Sequence, residues 1–446
     1  MLGVAWFAER PGSVAIEWQG WRVDTSVPIL LAVVALVAAL AAALYRFWGA
    51  LVGAPRSFGR WRRERRRRKG YVALTQGMVA VAAGDPDEAR RQARRADVLL
   101  SEPPLTMLLS AQAAQLNGDE TAAKRYFTKM LERPETAFLG LRGLLVQAMR
   151  AGDTAQAIEL ARRARTLRPK TPWVLSTLFE LETRAGHWRE AAETLARAQR
   201  ARALPVGDAH HHEATLLIEM SRAAAAENRA RDALQLAEQA HRADPEHEAA
   251  SLWLAERYVG AGKMRAAERV IEQEWAQRPH PDLLVFYRQA RPVAEPLQWV
   301  KQVERLARLA PLHRDSMVAL GAANLDAKLW GEARRHLGAA IDAFGGTPPS
   351  GVCRLMARLE EEESKDLAAV RRWLARAAEA PPDPAWVCGH CGAAHARWQA
   401  NCARCGSFDR LAWQAPARVQ PALVAAQGEG SKVPAPVPTG TPPAPG

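Results

Sequence analysis

Four of the five cysteines fall in one short stretch, as Cys388-Gly389-His390-Cys391-Gly392 and Cys402-Ala403-Arg404-Cys405-Gly406. Two residues between the members of a pair let a single tight turn aim both sulfurs at one ion. The glycine after each second cysteine suits the left-handed backbone that such knuckles need. Together the pairs supply four soft thiolates, enough to close a tetrahedron around Zn²⁺. Iron held in the rubredoxin manner is the alternative, because the same ligands serve both ions. The ten-residue gap between the pairs is shorter than the roughly 15 to 20 residues of common ribbons. The expected metal ligands are Cys388, Cys391, Cys402 and Cys405, and four thiolates leave no open position for chemistry on a substrate. Cysteines grouped this way fit a reducing compartment better than a disulfide framework. Cys353 stands alone in a helical stretch and reads as a packed free thiol.

Other residue types that could do chemistry are scattered. His210, His211 and His212 suggest a metal site by composition, but adjacent helical residues point in different directions, and the run reads as a solvated loop between repeats. His187, His241, His247 and His336 are isolated and read as surface or packing residues. Many acids have an arginine four residues away, as Glu193 does in Arg197, which makes a solvated helix face rather than a catalytic pair. The sequence contains no GxSxG, P-loop, strand-following GxGxxG or haem-attachment CxxCH. The expectation is a protein without catalytic residues.

Around the cysteines the aromatics are Trp386, Trp398, Phe408 and Trp413. They make too small a core to stand alone, so a bound ion should supply much of the folding energy of a module spanning residues 384–414. Beyond it, residues 415–446 are rich in Pro, Ala and Gly and read as disordered.

Upstream runs a 34-residue clock: Gly84-Asp85, Gly118-Asp119, Gly152-Asp153 and Gly186-His187. Five residues past each glycine stands Ala89, Ala123, Ala157 or Ala191, and nine past it Ala93, Phe127, Ala161 or Leu195. This period with helical spacing is that of tetratricopeptide (TPR) repeats, which stack because no single unit can bury its own apolar face. Pro134, Pro169, Pro245 and Pro279 mark where second helices should end. After Gly186 the clock slips by eight residues around 201–212 and resumes at Asn228, then Gly262. We expect about nine units over residues 70–381, with a bend and the partner's docking point at the slip.

At the other end, residues 27–45 carry no charge, and about 20 such residues in a helix cross a bilayer core. A transmembrane helix is expected over 27–48, with Tyr45 and Trp48 at an interface. An Arg-rich segment over 49–69 follows it. Residues 46–69 hold ten Lys/Arg against one acid, so this block contributes +9 of the net +13 and the other 422 residues share +4. Only Arg10 and Arg22 precede the apolar run, so the positive-inside rule puts the array and the C-terminus in the cytoplasm. With so few aromatics interleaved, the block points to anionic lipid headgroups and not to nucleic acid. Residues 1–26 form an extracytoplasmic stub and a short β-hairpin about Gln19-Gly20. Residues 1–8 are too short to cross a bilayer and read as an interfacial stub or the tail of a first membrane helix. The fold class is all-α: a TPR superhelix (α-solenoid) with one N-terminal transmembrane helix and a small C-terminal four-cysteine metal module.

The front of the chain resembles the proteobacterial HemY N-terminal family, membrane TPR proteins associated with haem biosynthesis. The resemblance is carried by Glu9-Arg10-Pro11-Gly12-Ser13-Val14, Trp18-Gln19-Gly20, Val23-Asp24-Thr25-Ser26, the apolar helix and the Arg-rich run into Gly70. Ala73-Leu74-Thr75-Gln76-Gly77-Met78-Val79-Ala80 and Ala83-Gly84-Asp85 continue it. It implies a bacterial inner-membrane scaffold that gathers or regulates enzymes of late haem (porphyrin) biosynthesis through its groove. It allows haem as a ligand, for which the chain shows no motif, and brings no catalytic residue. Another protein called HemY is a flavin-dependent oxidase, whose dinucleotide fingerprint this chain lacks. The knuckles are also similar to those of the regulator of lipopolysaccharide assembly, a protease adaptor. That family joins one membrane helix to cytoplasmic TPRs and a rubredoxin-like module packed on them, and it implies a similar docking here.

Overall fold

The 34-residue clock is a helix-ending and helix-starting device. At Gly84, Gly118, Gly152, Gly186 and Gly262 the backbone is left-handed, with φ between 72° and 75°, which ends a helix with little strain where other residues pay a steric penalty. In the first three, the aspartate that follows caps the next helix: Asp85, Asp119 and Asp153 accept from the backbone N–H of Glu88, Ala122 and Gln156. The alanine five residues past each glycine is fully buried at Ala89, Ala123, Ala157 and Ala191, where two helices cross closely. The computed structural model describes residues 12–100, 103–203 and 206–417. The stub at residues 1–8 and most of the C-terminal tail lie outside the described residues.

The chain forms two compact units, Met1–Pro169 and Lys170–Gly446. The first begins with a hairpin of β1 (Ser13–Trp18) and β2 (Trp21–Ser26), paired antiparallel with Trp18 opposite Trp21. Gln19 and Gly20 both take positive φ, 52° and 87°, as a two-residue hairpin turn requires. Next comes α1 (Val27–Ala83), 57 residues without a break and about 85 Å long. Its first part, Val27–Gly49, is long and apolar enough to cross a membrane, with mean hydropathy 2.8 and none of it buried. Its last part packs as the opening helix of the first repeat, burying Ala73, Leu74 and Ala80. The unit continues through α2 (Pro86–Leu99), α3 (Pro103–Leu116), α4 (Glu120–Met130), α5 (Pro134–Arg150) and α6 (Thr154–Leu167). Pro134 opens α5 and does not close α4. Proline is well placed at a first helical position, where its missing N–H would have no partner anyway.

The second unit contains α7 (Pro172–Arg184), α8 (Trp188–Arg200), α9 (Val206–Ala226), α10 (Ala230–Ala243), α11 (Glu248–Gly260) and α12 (Met264–Gln277). It goes on with α13 (Pro281–Ala290), α14 (Pro296–Ala307), α15 (Arg314–Asp326), α16 (Trp330–Ala343), α17 (Ser350–Glu363) and α18 (Leu367–Glu379). Among the described residues eighteen helices follow one another, beginning with the pair α1 and α2. The expected loop at the slip is a helix instead. At 21 residues, α9 is longer than its neighbours, and His210, His211 and His212 lie in its first turns. The clock glycine is replaced by Asn228, Lys328 and Lys365, all at positive φ, whereas Gly321 lies inside α15 with an added Cβ falling 2.6 Å from Leu337. Cys353 is buried in α17 as a free thiol.

The candidate metal centre and its seat on the repeats

Behind α18 the chain forms a three-stranded antiparallel sheet in the order β4-β3-β5, from β3 (Ala385–Cys388), β4 (Ala394–His395) and β5 (Leu411–Gln414). Two equivalent turns hang from it. The Gly392 N–H donates to the Cys388 carbonyl and the Gly406 N–H to the Cys402 carbonyl, each at 2.8 Å. Both glycines are left-handed, with φ 70° and 69°. The turns bring Sγ of Cys388 to 3.8 Å from that of Cys405, and Sγ of Cys391 to 3.7 Å from that of Cys402. All four sulfurs lie within 4.8 Å of one another, and none is in a disulfide. Such spacing fits thiolates around one ion, with bonds of about 2.3 Å for zinc, so the cluster could hold a metal. The Ser407 hydroxyl and backbone N–H bring the Cys405 thiol down to about 6. Cys391, despite the Ala393 backbone N–H, is pushed up to about 11 by burial and by neighbouring thiols.

The knuckle has its own aromatics and shares them with the repeats. Trp386 and Trp398 are buried. Trp386 and Trp413 meet edge to face at 5.5 Å, and the His280 ring closes on them at 5.8 and 4.2 Å. Burial among these rings pulls His280 down to about 4. Phe408 inserts against Phe179, His212 and Trp188. The Arg222 guanidinium lies between the Trp253 and Trp398 rings, 5.2 and 5.1 Å from their centroids, and donates to the Trp398 carbonyl. Asn401 donates to the Thr183 carbonyl at 2.8 Å. At the far end Asp383 accepts from the Gly351 N–H, Ser350 and Arg354. Most of these repeat contacts come from first helices of hairpins, α7, α9, α11, α13 and α17.

The histidines expected on the surface take part in this seat. Asp409, 2% exposed at its side chain, stands on the knuckle with a left-handed backbone, φ 55°. Its Oδ2 is 2.7 Å from His212 Nδ1, and its Oδ1 accepts from the Thr215 hydroxyl at 2.6 Å. His247 is buried, with Nε2 2.9 Å from Thr215 Oγ1, and its ring stacks on His211 at 4.2 Å. Burial alone would raise the Asp409 carboxyl, but contacts with His212, His247 and His211 hold it well below the usual carboxylate range. His210–His212 therefore lie in a helix against which the chain's own knuckle seats, and His247 is not an isolated packing residue. The sequence reads the run as a loop and His247 as isolated because their common neighbour, Asp409, is 197 residues from His212; the available signal is three histidines at the slip in the repeat.

Residues 12–118 match the family model of the HemY protein N-terminus, and residues 148–210 and 224–284 match that of the tetratricopeptide repeat. Along nearly the whole chain the protein is similar to the probable magnetosome protein Mms48 of Magnetospirillum gryphiswaldense, with 29% identity over 445 residues, covering 95% of this chain and 93% of the relative. Among solved structures it is similar to Naa15/Naa10 bound to HypK-THB, with 13% identity, 70% of this chain and a TM-score of 0.40; the match spans 58% of that chain. It is also similar to the C-terminal part of a TPR repeat-containing protein from Cytophaga hutchinsonii, with 11% identity, 54% and 95% coverage and a TM-score of 0.32.

Proposed function

We propose that this chain, a HemY-type N-terminus continued by TPR hairpins, is a non-catalytic adaptor of the bacterial inner membrane that gathers or regulates enzymes of late haem biosynthesis. The observation that carries the reading is α1. One helix leads from an apolar span through the Arg-rich run into the first repeat, within the residues matched by the HemY N-terminal model. A tether of this kind would hold the repeats close to the bilayer. The basic block on one side favours a cytoplasmic array, with anionic headgroups as the counter-charge for Arg65, Arg68, Lys69 and Arg95, which line one recess. Cys388, Cys391, Cys402 and Cys405 would hold Zn²⁺, with iron the alternative. The ion would supply the folding energy of the knuckle and keep it seated. Purification with the anchor intact should recover tetrapyrrole enzymes, and deletion should shift porphyrin pools. Recovery of none, with pools unchanged, removes the haem reading. Metal analysis should find the cysteine cluster filled, and Cys402→Ser should release residues 386–413 to protease; a metal-free chain with a protected knuckle removes that assignment.

A second reading is favoured by the docked knuckle itself. Metal module and TPRs joined behind one membrane helix also match the plan of a lipopolysaccharide-assembly regulator that acts as a protease adaptor. A deletion strain with normal lipopolysaccharide levels would exclude it. The chain is also similar to a relative named as a probable magnetosome protein, and in this reading the partner is set by surface residues and not by the fold.

A further inference from the structure

The structure assigns a second metal site at the seam between the repeats and the knuckle, formed by His211 Nε2, His247 Nε2 and Asp409 Oδ1 and suited to a divalent ion of the Zn²⁺ or Fe²⁺ class. One ligand atom from each of the three residues lies within 4.8 Å of the other two. Asp409 Oδ1 is 3.6 Å from His211 Nε2 and 3.8 Å from His247 Nε2, too far for hydrogen bonds. Ligand atoms bound at about 2.1 Å around one tetrahedral ion stand about 3.4 Å apart, so the separations from Asp409 need to close by only a few tenths of an ångström, while the stacked His211 and His247 rings must tilt to turn both in-plane lone pairs toward the ion.

The hydrogen bonding around the three groups calls for a cation. His211 Nδ1 is 2.7 Å from the Asp244 carboxylate, which fixes the proton on Nδ1 and leaves a lone pair on Nε2. That lone pair faces an oxygen of Asp409, also an acceptor, so positive charge belongs between them, and a bound ion supplies it where a second proton on the imidazole does not. A carboxylate behind a histidine that presents its other nitrogen is the usual second shell of a metal ligand. Thr215 gives its proton to Asp409, so His247 Nε2 donates to Thr215 in the arrangement seen. Binding an ion moves that proton to His247 Nδ1, a buried atom with no hydrogen-bond partner among the described residues, and the bond from Nε2 to the ion must offset the cost of that unpaired N–H. His212 holds the second Asp409 oxygen and sets the carboxylate plane.

His211 and Thr215 come from α9, Asp244 and His247 from the turn between α10 and α11, and Asp409 from the knuckle, so the ion joins the module to the repeats. Two histidines and one carboxylate leave a position for water, and the His211 side chain, 46% exposed, gives the ion a way in. This site exchanges its ion more readily than the four-thiolate cluster, where the shell is closed.

The test is metal stoichiometry on the full-length, detergent-extracted protein, with Zn²⁺ and then Co²⁺ as probes. Wild type should saturate at two equivalents. Cobalt in the cysteine cluster gives intense sulfur-to-metal charge-transfer bands, and cobalt in the histidine site adds only weak d–d bands. His211→Gln, at a half-exposed position, should hold one equivalent with the charge-transfer bands unchanged, and Asp409→Asn should behave the same way. Saturation of wild type at one equivalent with thiolate bands overturns the proposal, as does a second equivalent that persists in both variants. One equivalent without thiolate bands supports this site and removes the cysteine assignment instead.

Discussion

The two units are built from the same hairpin but have different interiors. Among the described residues the first unit buries three polar side chains, Gln92, Thr106 and Thr136, and the second buries thirteen. The first fits together by size. Phe127 takes the place of a small residue, and Gly143 makes room for it, since a Cβ there would fall 2.3 Å from the ring. In the second unit one buried hydroxyl, that of Thr215, donates to Asp409 of the knuckle, and the knuckle's Asn401 donates to the Thr183 backbone carbonyl, while Thr194 with Glu182 and Ser316 with Trp275 pair within the repeats. Repeats can close their cores by apolar complementarity alone. Buried without a partner, the Thr215 hydroxyl would cost about 1–3 kcal/mol, and Asp409 of the knuckle supplies that partner.

The largest effect should come from removing an anchor of that element. Trp398 is 6% exposed and stacks on Arg222, so Trp398→Ala should cost the second unit about 3–5 kcal/mol while leaving the first unchanged. Hydrogen exchange resolved by segment checks this. Equal loss of protection in both units would mean that the knuckle does not belong to one of them energetically. A smaller effect distinguishes the units by pH. Burial and the Glu274 charge raise Glu248 from 4.5 to about 7. The folded state thus binds this proton more tightly, and the stability it contributes is full below about pH 4.5 and lost as pH rises through about 7. The amount at stake is on the order of 2–3 kcal/mol. Glu248→Gln should flatten the decline in melting temperature between pH 5 and pH 8; an unchanged slope would place the titration elsewhere.

How far the sequence foretold this follows from the range of each interaction. The four-cysteine cluster, the apolar span and the helical repeat are local patterns, written in spacings of two, twenty and 34 residues. The seat is not local. Asp409 and His212, or Asn401 and Thr183, meet only because the chain returns along its own repeats, and no periodicity records that. The length of α9 was misread for a related reason. The histidine run has weak helix propensity and looks like a loop, yet two extra turns form there because Phe408 and Asp409 pack against them.

The smallest effect concerns the clock. In the first unit Asp85, Asp119 and Asp153 cap the second helices. At the corresponding places in the second unit His187, Arg229, Lys263 and Leu329 make no side-chain cap, although Asp366 does at the last hairpin. If caps hold the first unit where the second relies on the knuckle, Asp153→Ala should cost the first unit about 1 kcal/mol. Leu329→Asp should add a few tenths to 1 kcal/mol to the second, since a half-exposed leucine gives up little packing there. Denaturant titration of each variant, followed by segment-resolved exchange, reads both signs. A loss at Asp153 with no gain at Leu329 would show that α16 is already fixed by its packing, with Ala333 and Leu337 fully buried, and that the aspartate matters only where nothing else positions the helix.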